Sequence, residues 1–122
     1  MNEKKKILIV EDEVILSTLL KIQLEDEGFL VCGCITTGEE AVEFVQNTKP
    51  DLILIDINLV GEIDGIEAAE IITETAEIPI IFMTGYEEPQ IADRTRKINP
   101  VAYLIKPVEI WDLKPVLESF FN

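Results

Sequence analysis

Five polar residues stand where short apolar runs end: Glu11 and Asp12 after residues 7–10, Asp56 after 52–55, Thr84 after 80–83 and Lys106 after 101–105. Brought together, three carboxylates repel and raise one another's pKa, an expensive arrangement unless a cation occupies the site. All-oxygen ligands select a hard ion, and Mg2+ suits a site with few protein oxygens and several waters. Asp12 and Asp56 are expected as direct ligands, with Glu11 acting through water. Calcium is disfavoured, because no twelve-residue loop of alternating oxygens is present. A hydroxyl and an ammonium at neighbouring run ends bind an anion, so Thr84, Lys106 and the cation can surround the oxygens of a transferring phosphoryl group. Asp56 is then the nucleophile, attacking phosphorus to give an aspartyl phosphate, and Gly85 leaves room beside Thr84. Taken singly, Lys106 reads as a surface lysine, Thr84 as a strand-end cap and Asp56 as a loop residue. Jointly, five compatible groups would have to fall at four run ends by accident.

That constellation exists only if the chain carries those ends to one edge. The runs are short, rich in Ile, Leu and Val, and separated by helix-length segments, which is the pattern of buried parallel strands joined by crossover helices. The strands are expected at Ile7 to Val10, Leu30 to Ile35, Asp51 to Ile55, Ile80 to Met83 and Val101 to Ile105. Between them, Val14, Leu16, Leu19, Leu20, Ile22 and Leu24 recur at near-helical spacing, with Gly28 as a stop. Thr37 can cap a second helix, Glu40 completing a Thr-x-x-Glu capping box, and Asp64 can cap a third. A fourth is expected over much of Pro89 to Ile98. Pro115 in an interior turn of the last helix costs roughly 3 kcal/mol, so a late start capped by Asp112, or a kink, is expected. Right-handed crossovers with helices on both faces give a doubly wound α/β fold. Its five-stranded parallel sheet is expected in the flavodoxin-like order 2-1-3-4-5, with the site at the switch between strands one and three. One domain is expected to fill residues 1–122, without repeat, low-complexity segment or linker.

Composition narrows the function classes. Hydrophobic residues make up 48% of the 122, which excludes a disordered chain despite a net charge of -14. So acidic a balance argues against direct binding to nucleic acid or to an anionic membrane. Lys4, Lys5 and Lys6 precede too short an apolar run for a signal peptide, and no stretch approaches the roughly 18 apolar residues of a membrane span, so a cytoplasmic location is expected. The chain has no histidine, which removes the usual general base, the Ser-His-Asp arrangement and any phosphohistidine role of its own. Cys32 and Cys34, two apart and read as same-face neighbours in one strand, make poor disulfide partners and are expected to be small apolar fillers.

The order Glu11-Asp12, Asp56, Thr84-Gly85, Tyr103 and Lys106-Pro107 resembles the receiver domain of two-component response regulators over essentially the whole chain. The resemblance implies phosphorylation of Asp56 by a phosphohistidine on a sensor histidine kinase or His-phosphotransfer protein. It implies Mg2+ held by Asp12, Asp56 and the backbone carbonyl of Asn58, and a cis Lys106-Pro107 bond. It also implies a switch in which Thr84 is drawn toward the phosphoryl group and Tyr103 turns inward, altering the face made by helix four, strand five and helix five. A downstream protein or domain is expected on that face, and a homodimer is a further candidate. Beyond its own phosphorylation and dephosphorylation, no enzymatic activity is expected.

The chain departs from the family pattern in one place. The loop from Asp56 to Gly65 has one residue more before its Asp-Gly than the common spacing, and Val60 replaces the frequent proline, so this loop should have its own shape. Tyr86 is expected over the site entrance, lengthening the phosphorylated lifetime by screening the acyl phosphate from water; unchanged hydrolysis in Tyr86→Ala would reject that role. An aspartate-nucleophile phosphohydrolase is a second reading, but Asn58 stands where such chemistry wants a second carboxylate, and a substrate cap is missing. A pseudo-receiver that only binds partners should have broken sites, whereas here all are filled. A flavodoxin-like cofactor protein is disfavoured by the acidic loop after strand one. Only Phe120, Phe121 and Asn122 end the last helix, so output is expected through protein contacts. One aromatic should pack inward, and the other can mark a dimer face or a domain junction.

Overall fold

The structure, a computed structural model, describes residues 3–85 and 89–122. Five strands alternate with five helices: β1 (Lys6–Val10), α1 (Val14–Asp26), β2 (Leu30–Ile35), α2 (Gly38–Asn47), β3 (Leu52–Asp56), α3 (Gly65–Thr75), β4 (Ile80–Thr84), α4 (Pro89–Thr95), β5 (Ala102–Ile105) and α5 (Ile110–Phe121). The strands form one parallel sheet in the order β2-β1-β3-β4-β5. Alternate residues of β1, β3 and β4 feed opposite faces. Leu8, Val10, Ile53, Ile55 and Phe82 pack with Ala41, Ile66, Ala69, Ile72 and Ile91, the side of α2, α3 and α4. Ile7, Ile9, Leu52, Leu54, Ile81 and Met83 pack with Leu20, Leu24, Leu113 and Leu117, the side of α1 and α5. Every residue of β3 is buried, as a central strand covered on both faces requires. Each fully buried Ile or Leu contributes about 1.5–3 kcal/mol, so the middle of the sheet is the rigid part on which the strand ends are held.

The helix caps follow from local chemistry. Asp64 accepts from the Glu67 N–H while the Glu67 side chain accepts from the Asp64 N–H, a complete reciprocal box at the start of α3. Thr37 accepts from the Glu40 N–H at 3.2 Å, but its hydroxyl also donates to the Glu40 carboxylate, so only half of the expected box forms. The last helix does not start late. Its N-cap is Glu109, three residues before Asp112, and Pro115 lies inside the helix. Trp111 and Pro115 are both exposed, so water can satisfy the Trp111 carbonyl that Pro115 cannot. Phe121 packs against Phe29 at a ring distance of 6.2 Å, while Phe120 stays 43% exposed.

The cysteines overturn an expectation. Between Ile7 and Leu8 the β1–β2 register slips by one residue, Ile7 pairing with Val31 and Leu8 with Gly33, so Cys32 is the extra residue of a bulge. The bulge ends the alternation: Cys32 packs among the residues on the α2 side, while Ser17 and Lys21 of α1 adjoin Cys34, which is exposed. The two thiols are therefore not same-face neighbours, and Cys34 is not a core filler. Gly33 makes the bulge workable, since a Cβ there would lie 3.1 Å from the Phe44 ring and 3.2 Å from Leu8 Cδ1.

Candidate functional site

The ends of β1, β3, β4 and β5 share one edge of the sheet and bring the five sequence-derived residues together. Asp56 is the last residue of β3 and Thr84 the last of β4, each within its strand rather than beyond it, and they are 2% and 3% exposed. Pairing carries on past both: the Ile57 N–H donates to the Met83 carbonyl at 2.8 Å, and the Lys106 N–H to the Thr84 carbonyl at 2.7 Å. Glu11 follows β1, its N–H donating to the Ile35 carbonyl at 2.9 Å, and its side chain is almost wholly buried. The Lys106–Pro107 bond is cis.

One ammonium meets two buried carboxylates. Lys106 Nζ lies 2.8 Å from Glu11 Oε1 and 3.0 Å from Asp56 Oδ2, with Glu13 Oε1 farther off at 3.9 Å. The other oxygens are held by backbone: Glu11 Oε2 accepts from the Glu13 N–H at 3.0 Å, and Asp56 Oδ1 from the Asn58 N–H at 3.0 Å. Burial pushes the Glu11 carboxyl up to about 7; Lys106 and the Glu13 N–H pull it down, while Asp12 and Asp56 add to the rise. Burial acts against the Lys106 charge, but hydrogen bonds to Glu11 and Asp56 prevail and hold its pKa up, at about 12.

Carboxylate oxygens of Glu11, Asp12 and Asp56 all lie within 4.8 Å of one another. This hard, oxygen-only set, one member of which is reluctant to ionise, fits a small divalent cation such as Mg2+. Asn58 is exposed, and its N–H turns toward Asp56. Tyr103 is 41% exposed, its ring stacked on Phe82 at 6.1 Å and its hydroxyl bonded to Thr95. Tyr86 lies outside the described residues.

Three contributors escape a reading of residue types. Gly65 opens α3 directly behind the carboxylate, where a Cβ would lie 2.1 Å from the Asp56 carbonyl oxygen and 2.8 Å from Ile55 Cγ2, so only glycine lets α3 start this close. Its N–H donates to the Ile57 carbonyl at 2.9 Å, closing the loop. Glu39 of α2 accepts from the Ile63 N–H at 3.0 Å, and Arg94 of α4 pairs with Asp64 at 2.7 Å, so the β3–α3 loop is held from both sides. The Asp-Gly pair is visible as a turn signal; nothing in the sequence ties Glu39 or Arg94 to this loop.

Residues 7–118 match the response regulator receiver domain family. The chain is 36% identical over 114 residues to the transcriptional regulatory protein PdtaR of Mycobacterium tuberculosis, covering 93% of this chain and 55% of that protein. It is 35% identical over 118 residues to the transcriptional regulatory protein DesR of Bacillus subtilis, covering 95% of this chain and 58% of that one. The chain thus spans a little over half the length of these relatives. Among solved structures, the signal receiver domain of a modulated diguanylate cyclase from Desulfovibrio desulfuricans superimposes with a TM-score of 0.88 at 38% identity, over 96% of this chain and 93% of that one. A CheY-like receiver domain from Methanospirillum hungatei gives a TM-score of 0.88 at 28% identity, over 97% and 94%. The shared sheet order, the acidic cluster beside Lys106 and these matches have one conclusion: the chain belongs to the response regulator receiver domain family.

Proposed function

We propose that Asp56 is the phosphoacceptor of a His-Asp relay, in a single receiver domain spanning residues 1–122. The observation that carries this reading is the Asp56 carboxylate, 2% exposed at the end of the central strand, within hydrogen-bond reach of Lys106 Nζ and beside Glu11 and Asp12. An Asp56 oxygen attacks phosphorus in line. The new O–P bond forms as the P–N bond of a phosphohistidine breaks, and the electron pair leaves with the imidazole nitrogen, which then takes up a proton. Asp12, Asp56, the Asn58 carbonyl and, through water, Glu11 would hold Mg2+, which would supply positive charge beside the transferring group. Lys106 stays charged throughout and moves its hydrogen bonds from carboxylate to phosphoryl oxygen. The Thr84 hydroxyl takes another phosphoryl oxygen, and Tyr103 follows inward.

The donor is a sensor histidine kinase or a His-phosphotransfer protein. The downstream protein or domain, or a second copy of the chain, reads the α4–β5–α5 face, where Tyr103 and Ile105 are 41% and 42% exposed. The acidic surface, with a net charge of -14, favours protein over nucleic acid as that partner. No helix among the described residues is long and apolar enough to cross a membrane, which accords with a cytoplasmic relay.

Intact mass after incubation with Mg2+ and a small-molecule phosphodonor tests the reading. One phosphoryl adduct is expected, absent in Asp56→Asn and after chelation. An adduct that persists in Asp56→Asn, or none on the native chain once Mg2+ binding is demonstrated, overturns it.

A further inference from the structure

Among the described residues, the buried polar side chains are Glu11, Asp56 and Thr84 at the acidic edge, Ser17 in α1, and Thr95 at the end of α4, which has no exposed surface at all. The Thr95 hydroxyl donates its one hydrogen to the Ile91 carbonyl at 2.7 Å. In its bond with Tyr103 it is therefore the acceptor, and the phenol donates. Tyr103 is thus fastened at two points. Its ring lies on Phe82, its register partner on β4 two residues before Thr84, and its hydroxyl reaches the last turn of α4.

We propose that Thr95 is a positioning residue that holds Tyr103 outward and ties its rotamer to the last turn of α4. An inward turn of Tyr103 must break the Thr95 bond. Thr95 keeps its bond to Ile91 when the phenol leaves, so release strands no buried hydrogen and the tether is reversible. Thr95 thereby sets how often the unphosphorylated chain visits the inward state, and how far α4 is freed when it does. A neutral hydrogen bond of this kind shifts a two-state population roughly two- to tenfold. The tether is a feature of the resting chain; its part in switching rests on Asp56 being the phosphoacceptor.

The test is a double-mutant cycle of Thr95→Val and Tyr103→Phe, with Thr95→Ser as the variant that keeps the hydroxyl. In denaturant unfolding, which needs no phosphorylation, the two substitutions are expected to be non-additive by roughly two- to tenfold in the unfolding constant, and Thr95→Ser to keep the coupling. With phosphoramidate and Mg2+, Thr95→Val is expected to phosphorylate at Asp56 roughly two- to tenfold faster than Thr95→Ser, and to have no further effect in the Tyr103→Phe background. Additive unfolding effects overturn the tether. Non-additive unfolding with equal phosphorylation rates in Thr95→Val and Thr95→Ser overturns its part in switching. No phosphorylation of the native chain fails the Asp56 reading itself, and the switching role with it, whatever the unfolding cycle shows.

Discussion

Lys106 Nζ stands 3.0 Å from Asp56 Oδ2, across 50 residues of chain, and 2.8 Å from Glu11 Oε1. A single ammonium thus balances two carboxylates that are almost wholly buried. Both carboxylates are fixed by the strand ends that carry them, Asp56 closing β3 and Glu11 following β1, so their positions do not depend on the ion pair alone.

Replacing Lys106 by Met should destabilise the metal-free chain in a pH-dependent way. With the Glu11 pKa raised to about 7 from 4.5, the folded chain keeps this proton over a pH range where the unfolded chain has lost it. Stability therefore falls as pH rises through that window, and the whole cost is present above it. Lys106 lowers the Glu11 pKa, so its loss moves the upper limit higher and deepens the fall. Denaturant unfolding in chelator should show Lys106→Met losing roughly 1–3 kcal/mol more at pH 8 than at pH 5. An equal loss at both pH values would show that Glu11 does not depend on Lys106.

Mg2+ should raise the melting temperature. A ligand at 100 times its dissociation constant adds about 2.7 kcal/mol if it binds only the folded state. Differential scanning calorimetry should show the gain in the native chain and its loss in Asp12→Ala, because Asp12 completes the cluster of oxygens within 4.8 Å. Equal gains in both chains would place the ion elsewhere.

Gly65→Ala should cost about 1–3 kcal/mol, because a methyl 2.1 Å from the Asp56 carbonyl oxygen forces α3 or the end of β3 to shift. Since that carbonyl belongs to the proposed phosphoacceptor, phosphorylation by a small-molecule donor should also slow. Urea unfolding and intact mass measure the two effects; native-like stability would mean that the backbone relaxes freely.

Glu39→Gln tests the support of the β3–α3 loop. The Glu39 carboxylate accepts from the Ile63 N–H at 3.0 Å, and weakening that bond should speed hydrogen exchange at Ile63 roughly two- to tenfold. The Asp64–Glu67 capping box is a separate contact, so exchange at Glu67 should not change.

The residues themselves determined the strands and the five groups at their ends, while the sheet order followed from a general rule of doubly wound folds. Buried parallel strands need continuous apolar runs, and a polar residue closing such a run can lie only near the sheet edge. Thr37 and Asp64 were legible as caps because capping chemistry is local. Only the tertiary structure decided the rest. The bulge at Cys32, the approach of Gly65 to Asp56 and the bond from Tyr103 to Thr95 each depend on how two distant segments meet. Pro115 shows the same division: propensity favours a late start, but Ile110 packs against the same core cluster as Leu113 and Leu117, and the helix begins there. Local chemistry sets what a residue can do, and the packing of distant elements sets which of those abilities it uses, because a close approach or a register slip leaves no trace in residue types alone.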